Sequence, residues 1–144
     1  MEFPYTWGNI DRCEAFPDGP AVGRPILPIQ IGINGVWTDF IQGIVDTGAD
    51  YCVFYGNFAE QLGLEWEKLP IAPALGLGKN ILRVASIDLD AGELGIWPIR
   101  AAFTPHPFPF ALLGHVGFLE KLKFSTIIDS LDCKKSRFTL ERAI

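Results

Sequence analysis

Phe40-Ile41-Gln42-Gly43-Ile44-Val45-Asp46-Thr47-Gly48-Ala49-Asp50 is the stretch on which the reading of this chain turns. An apolar run ends abruptly in five small or acidic residues. The apolar part reads as a buried strand, and Asp-Thr-Gly-Ala reads as a tight loop at its end. Each residue type has a chemical use there. Asp46 supplies a carboxylate able to hold and activate water. Thr47 offers a short hydroxyl that can tie the loop in place. Gly48 lets the backbone turn sharply and leaves room for another backbone to approach. Ala49 is small enough to pack beneath them. The same residues also suit a plain turn, with Asp46 capping it and Asp50 capping a helix.

The motif occurs once, and no second Asp-Thr-Gly or Asp-Ser-Gly exists in the 144 residues. Further along lies Leu112-Leu113-Gly114, followed by Phe118-Leu119-Glu120-Lys121-Leu122, which reads as a short helix. Between the two lies the glycine-bearing run Leu75-Gly76-Leu77-Gly78-Lys79-Asn80. In this order the three segments resemble the retropepsin-like aspartic proteases, the single-lobe relatives of pepsin, over roughly residues 24 to 141. The resemblance implies a mostly β fold, a closed β-barrel with a flap hairpin and one short C-terminal helix. It makes residues 75–80 the flap tip, with Gly76 and Gly78 supplying the freedom a lid requires.

The resemblance also implies a mechanism. Two carboxylates about 3 Å apart cannot both ionise near neutral pH, so one stays charged to activate water while the other, protonated, polarises the scissile carbonyl. A chain with one such Asp obtains the second from a two-fold homodimer. Asp46, Thr47 and Gly48 are then the catalytic loop. Thr47 is expected to bond across the dimer axis, Gly48 to lie against the substrate backbone, and Asp50 to bind substrate main-chain amides. Ile44, Leu77, Phe110 and Leu112 line side-chain pockets, so apolar residues are expected on both sides of the scissile bond. The expected substrate is a peptide or protein, with no cofactor and no metal. One departure stands out: many relatives carry Arg where this chain has His115, which is expected to hydrogen-bond Asp50 with a pH-dependent charge. Two other readings suit the same residues: a non-catalytic retropepsin-like dimerisation or peptide-binding module, and a mostly β binding protein whose Asp46 caps a turn.

Composition is consistent with one β-rich domain. Hydrophobic residues make up 49%, ample for a core, while Gly (15) and Pro (11) are plentiful and helical periodicity is scarce. The length is too short for two pepsin-like lobes. Net charge is −5 without a basic run, which argues against a nucleic-acid partner. No apolar stretch reaches membrane-spanning length, and the start has neither the basic nor the apolar region of a signal peptide. Cys13, Cys52 and Cys133 form an odd set with no metal-type spacing, consistent with a reducing cytoplasmic setting. Cys52 reads as a small buried apolar residue.

Along the chain, residues 1–23 read as an irregular aromatic lead laid across the domain or its partner, and residues 24–144 as the domain itself. Ile26–Ile33 is expected as a strand, Asn34-Gly35 as a hairpin turn, and Val36–Val45 as the returning strand. Asn57 to Leu62 suits a short helix capped by Asn57 and stopped by Gly63. Pro70 to Leu75 and Ile81 to Leu89 are the flap strands. Leu94 to Phe103 is a strand in which Pro98 marks an edge or bulge. Phe124 to Asp129 and Arg137 to Leu140 form a last hairpin. His106, between two prolines, reads as an exposed loop residue, and Trp97 as packing. Glu60, Glu65 and Glu67 read as a solvated face. The two histidines with scattered acids do not make a zinc site. Gly76-Leu77-Gly78 lacks the remaining elements of a nucleotide loop.

Overall fold

The computed structural model of the chain describes residues 1–73 and 81–143. The flap-tip expectation for Gly76, Leu77 and Gly78 lies outside them. In chain order the elements are β1 (Glu2–Pro4), β2 (Thr6–Asn9), β3 (Ala21–Arg24), β4 (Ile26–Ile33), β5 (Val36–Trp37), β6 (Ile41–Val45), β7 (Val53–Tyr55) and α1 (Asn57–Gln61). They continue with β8 (Ile71–Pro73), β9 (Ile81–Asp90), β10 (Ile96–Thr104), β11 (Ala111–Leu113), β12 (Leu122–Ile127) and β13 (Arg137–Arg142).

The alternation in β4 shows how the core forms. Leu27, Ile29 and Ile31 are buried, while Pro28 points out, as a strand with one face on a core requires. Asn34 and Gly35 both adopt positive φ (51° and 82°), the conformation of a two-residue hairpin turn. The returning strand is interrupted. Gly32 faces Trp37 and Ile29 faces Ile41, so three steps on β4 oppose four on the return. The extra residue bends the strand at Thr38, whose buried hydroxyl accepts the Ile31 N–H (3.2 Å).

From β4 the sheet runs through β6, β11, β7, β10 and β9 and closes where β9 pairs back onto β4, Ile31 opposite Leu89. This is a closed six-stranded barrel. Its core holds Phe54, Phe103, Phe118 and Phe138 with the apolar faces of β4, β9 and β10. β8 pairs with β9, Pro73 opposite Ile81, forming the base of the expected flap hairpin. Pro98 lies where β10 is paired to β9 and its pairing to β7 has not yet begun, in keeping with the expected edge position.

Several expectations need correction. The lead is not irregular: β1 pairs with β13, Phe3 stacks on Phe138 at 5.2 Å, and β2 pairs with β3. β13 has an open edge that β1 pairs with, and Phe3 and Tyr5 pack their rings on Phe138. α1 is capped by Gly56, and the Asn57 side chain makes no capping bond. Gly63 stops it as expected, at φ 75°. The short C-terminal helix is one turn of 3-10 helix, Leu119–Lys121, because β12 begins at the next residue. No helix among the described residues is long and apolar enough to cross a membrane.

Candidate active site

β6 and β11 are parallel neighbours, with Ile44 opposite Leu112 and Val45 opposite Leu113. Parallel pairing makes both strands end on the same side, so Asp46 and Gly114 leave the barrel together. The Asp46 N–H donates to the Leu113 carbonyl (3.1 Å), extending the ladder to the first residue of the loop. Asp46 Oδ1 then accepts the Gly48 N–H (2.9 Å), and its carbonyl accepts the Ala49 N–H (3.2 Å). These bonds make a tight turn that fixes the carboxylate against its own loop.

The second loop holds the first from beside. His115 N–H donates to the Ala49 carbonyl (2.9 Å) and Val116 N–H to the Asp50 carbonyl (2.8 Å). Such close contact requires Gly114 to lack a side chain. A Cβ there would sit 2.5 Å from the Tyr51 carbonyl oxygen and 2.7 Å from that of Ala49. The 3-10 turn that follows is anchored on this loop, through Leu119 N–H to Gly114 and Glu120 N–H to His115.

His115 does not take the expected partner. Its Nε2 lies 2.8 Å from the Thr47 carbonyl. A carbonyl only accepts, so Nε2 carries the proton. The Asp50 backbone is held by Val116, and the His115 ring braces the loop at Thr47, three residues earlier.

Asp46 is half-buried, while Thr47, Gly48 and Asp50 are exposed. Ile44, Phe110 and Leu112 are half-buried. Leu112 lies between Ile44 on β6 and Val53 on β7. Phe110 stands apart from that pair, on a cavity of about 390 Å³ with Trp7, Arg24, Ile26 and Gln42. Leu77, Gly76 and Gly78 fall outside the described residues.

Tyr51 escaped the sequence reading. Its hydroxyl donates to the Pro73 carbonyl at the end of β8, tying the flank of the Asp46 loop to the base of the hairpin above it. Only the folded approach of the Asp46 loop flank to the end of β8 reveals this, since nothing in the residues around Tyr51 signals a partner so far along the chain.

The remaining candidates behave as packing or surface. Trp97 is buried. Its Nε1–H donates to the Gly117 carbonyl (2.7 Å), and the Arg142 guanidinium sits over its ring. His106, Glu60, Glu65 and Glu67 are exposed. Cys52 is fully buried under the site, where burial pushes its thiol up to about 12, so it stays neutral and unreactive. No group of three or more His, Cys, Asp or Glu suited to a metal ion exists among the described residues.

No family model matches the chain, and no curated protein matches it by sequence. Among solved structures it is similar to a retropepsin-like aspartic protease from Rickettsia conorii. That match has TM-score 0.56 and 20% identity, covering 100% of this chain and 94% of the other. The retroviral protease-like domain of Ddi1 from Leishmania major matches at TM-score 0.49 and 15% identity, covering 81% of this chain and 94% of the other. With a six-stranded barrel that delivers Asp-Thr-Gly beside Leu-Leu-Gly, and a rickettsial protease superposing along its whole length, this chain has the retropepsin-like fold.

Proposed function

We propose that this chain is an aspartic endopeptidase that hydrolyses peptide bonds without a covalent intermediate, using one Asp46 from each subunit of a homodimer. The observation that carries this reading is the double anchoring of the Asp46 loop by the Leu113 carbonyl and by the His115 and Val116 N–H groups. It leaves a carboxylate at the barrel end with one oxygen tethered to Gly48 N–H. A carboxylate whose role was only to cap a turn would not call for a second loop locked against the first. Such bracing suits preorganisation of a charge.

In this mechanism the Asp46 pair holds water between its carboxylates and shares one proton. The charged member takes a proton from water as it attacks the scissile carbonyl, and the protonated member hydrogen-bonds the carbonyl oxygen. The tetrahedral intermediate then collapses with cleavage of the C–N bond as an Asp46 carboxyl gives its proton to the leaving amine. Thr47 links the two loops across the axis, Gly48 lies along the substrate backbone, and Asp50 accepts from substrate amides. Ile44 and Leu112 form one wall of the apolar groove, with Phe110 apart from them; Leu77 stays a pocket residue only by resemblance. Three cysteines without a disulfide support a reducing, cytoplasmic setting. Fractionation that found the chain in an oxidising compartment would remove that part of the proposal.

The test is digestion of a denatured protein mixture across acidic to neutral pH by wild type and by Asp46→Asn. Asn keeps the shape and can still accept from Gly48, so folding and dimerisation should persist while cleavage falls by roughly 10²–10⁴-fold. Wild-type activity should follow a bell in pH and lose specific activity on dilution, since the site exists only in the dimer. Cleavage that survives in the Asn variant removes Asp46 from the mechanism. Dimers that bind peptides and never cut them establish a binding module instead.

A further inference from the structure

Arg100 has no part in the site described so far, yet it lies on the same side of the sheet. On β10, Ile99 and Ala101 are buried in the main core, while Arg100 and Ala102 alternate to the opposite face, across from Ser86 and Val84 of β9. That face carries a second, small apolar cluster of Val53, Leu82 and Ala102, against which Tyr51, Val84 and Leu112 pack. Leu112 is the groove wall beside Ile44, so the Arg100 face is continuous with the proposed substrate groove.

There the surface opens into a cavity of about 240 Å³ between the Asp46 loop flank and the hairpin base, lined by Tyr51, Ala72, Val84, Arg100, Ala102 and Val116. Arg100 is the one charged side chain among the described residues of this lining. It also borders a neighbouring cavity of about 350 Å³ that adds Lys121 and Glu120. Glu120 is already engaged, its Oε1 accepting the Gly117 N–H at 3.0 Å. Three other arginines are committed: Arg83 to the Leu69 carbonyl and Glu67, Arg137 to the Lys135 and Ser136 carbonyls, and Arg142 to the Trp97 ring. Arg100 forms no ion pair among the described residues.

We propose that Arg100 selects an acidic side chain of the peptide substrate, at a position removed from the scissile bond, by receiving its carboxylate at the end of the apolar chamber beneath the hairpin base. The inference rests on the peptidase reading and refines its substrate class. Apolar walls suit a methylene stem, and an uncommitted planar guanidinium suits a carboxylate, so Glu fits better than Asp. On a chain of net charge −5, a local cation also gives an acidic peptide a defined place to dock.

Peptide sets differing by Glu, Gln or Lys at each position beyond the two flanking the cut would be tested with wild type, Arg100→Ala and Arg100→Glu. The same sets would be tested for binding to Asp46→Asn with and without Arg100→Ala. Arg100 is exposed and faces Ser86 on β9, so these variants should fold. One position should favour Glu by about fivefold at low salt, carried by KM. The preference should vanish in Arg100→Ala and turn towards Lys in Arg100→Glu. A preference that persists without Arg100, or cleavage with no preference at any position, overturns the inference and leaves the peptidase reading standing. If wild type cuts nothing, the peptidase reading fails, and binding decides: Arg100-dependent preference for Glu keeps the acidic-peptide site, and equal or absent binding overturns it.

Discussion

Gly114→Ala is the sharpest test of how the two loops make the site. The added methyl would sit 2.5 Å from the Tyr51 carbonyl oxygen, 2.7 Å from the Ala49 carbonyl oxygen and 2.8 Å from the Tyr51 carbonyl carbon. All three are backbone atoms, so no side chain can swing aside, and the loops must separate by several tenths of an ångström or more. That movement would stretch the His115-to-Ala49 and Val116-to-Asp50 hydrogen bonds (2.9 and 2.8 Å). Overpacking of this kind costs about 1–3 kcal/mol, and each weakened hydrogen bond adds roughly 0.5–1.5 kcal/mol. The sum, about 2–6 kcal/mol, corresponds to a drop in Tm of roughly 4–24 °C for a domain near this size. Gly63→Ala is the natural comparison. Gly63 has φ 75° but nothing within 4 Å of its missing Cβ, so Ala there meets only the backbone penalty of about 1–2 kcal/mol. Thermal and urea unfolding of both variants alongside wild type provides the assay. A Gly114→Ala chain as stable as Gly63→Ala would refute the idea that close backbone packing locks the Asp46 loop.

Removing the Tyr51 hydroxyl with Phe should cost about 0.5–1.5 kcal/mol and speed hydrogen exchange in β8, where the Pro73 carbonyl loses its donor; unchanged protection there would separate Tyr51 from the hairpin. The Cys52 thiol is raised from 9.0 to about 12, chiefly by desolvation, partly offset by a Gly114 backbone hydrogen bond, with the Glu120 charge raising it least. Below pH 9 both folded and unfolded chains keep this proton, and above it the unfolded chain releases it first, so stability is lost between pH 9 and about 12. The advantage of wild type over Cys52→Ala should therefore shrink across that range in urea titrations, and a constant difference would contradict the buried-thiol account.

Much of this chain was legible in its residues because local rules decided it. The alternation of β4, the Asn34-Gly35 turn, the Gly63 stop and the apolar run into Asp46 each depend on neighbours within a few positions. The order of Asp46-Thr47-Gly48, the glycine-bearing run and Leu112-Leu113-Gly114 was enough to anticipate a retropepsin-like barrel. What local patterning could not specify was partnership across the chain. Whether Glu2–Pro4 lies as a strand depends on a free edge of β13 that comes more than a hundred residues later. The His115 ring could reach Asp50 or Thr47 by residue type alone, and the choice follows from how the Gly114 turn aims it at the Thr47 carbonyl. Tyr51 and Arg100 show the same limit. One is a residue beside a motif and the other an ordinary strand arginine until β8, β9 and β10 come together around them. Sequence therefore determined which segments become strands and turns and which carboxylate is singled out. Tertiary structure alone decided which backbone groups hold the Asp46 loop and which side chains lie beside it, because those are contacts between segments far apart in the chain.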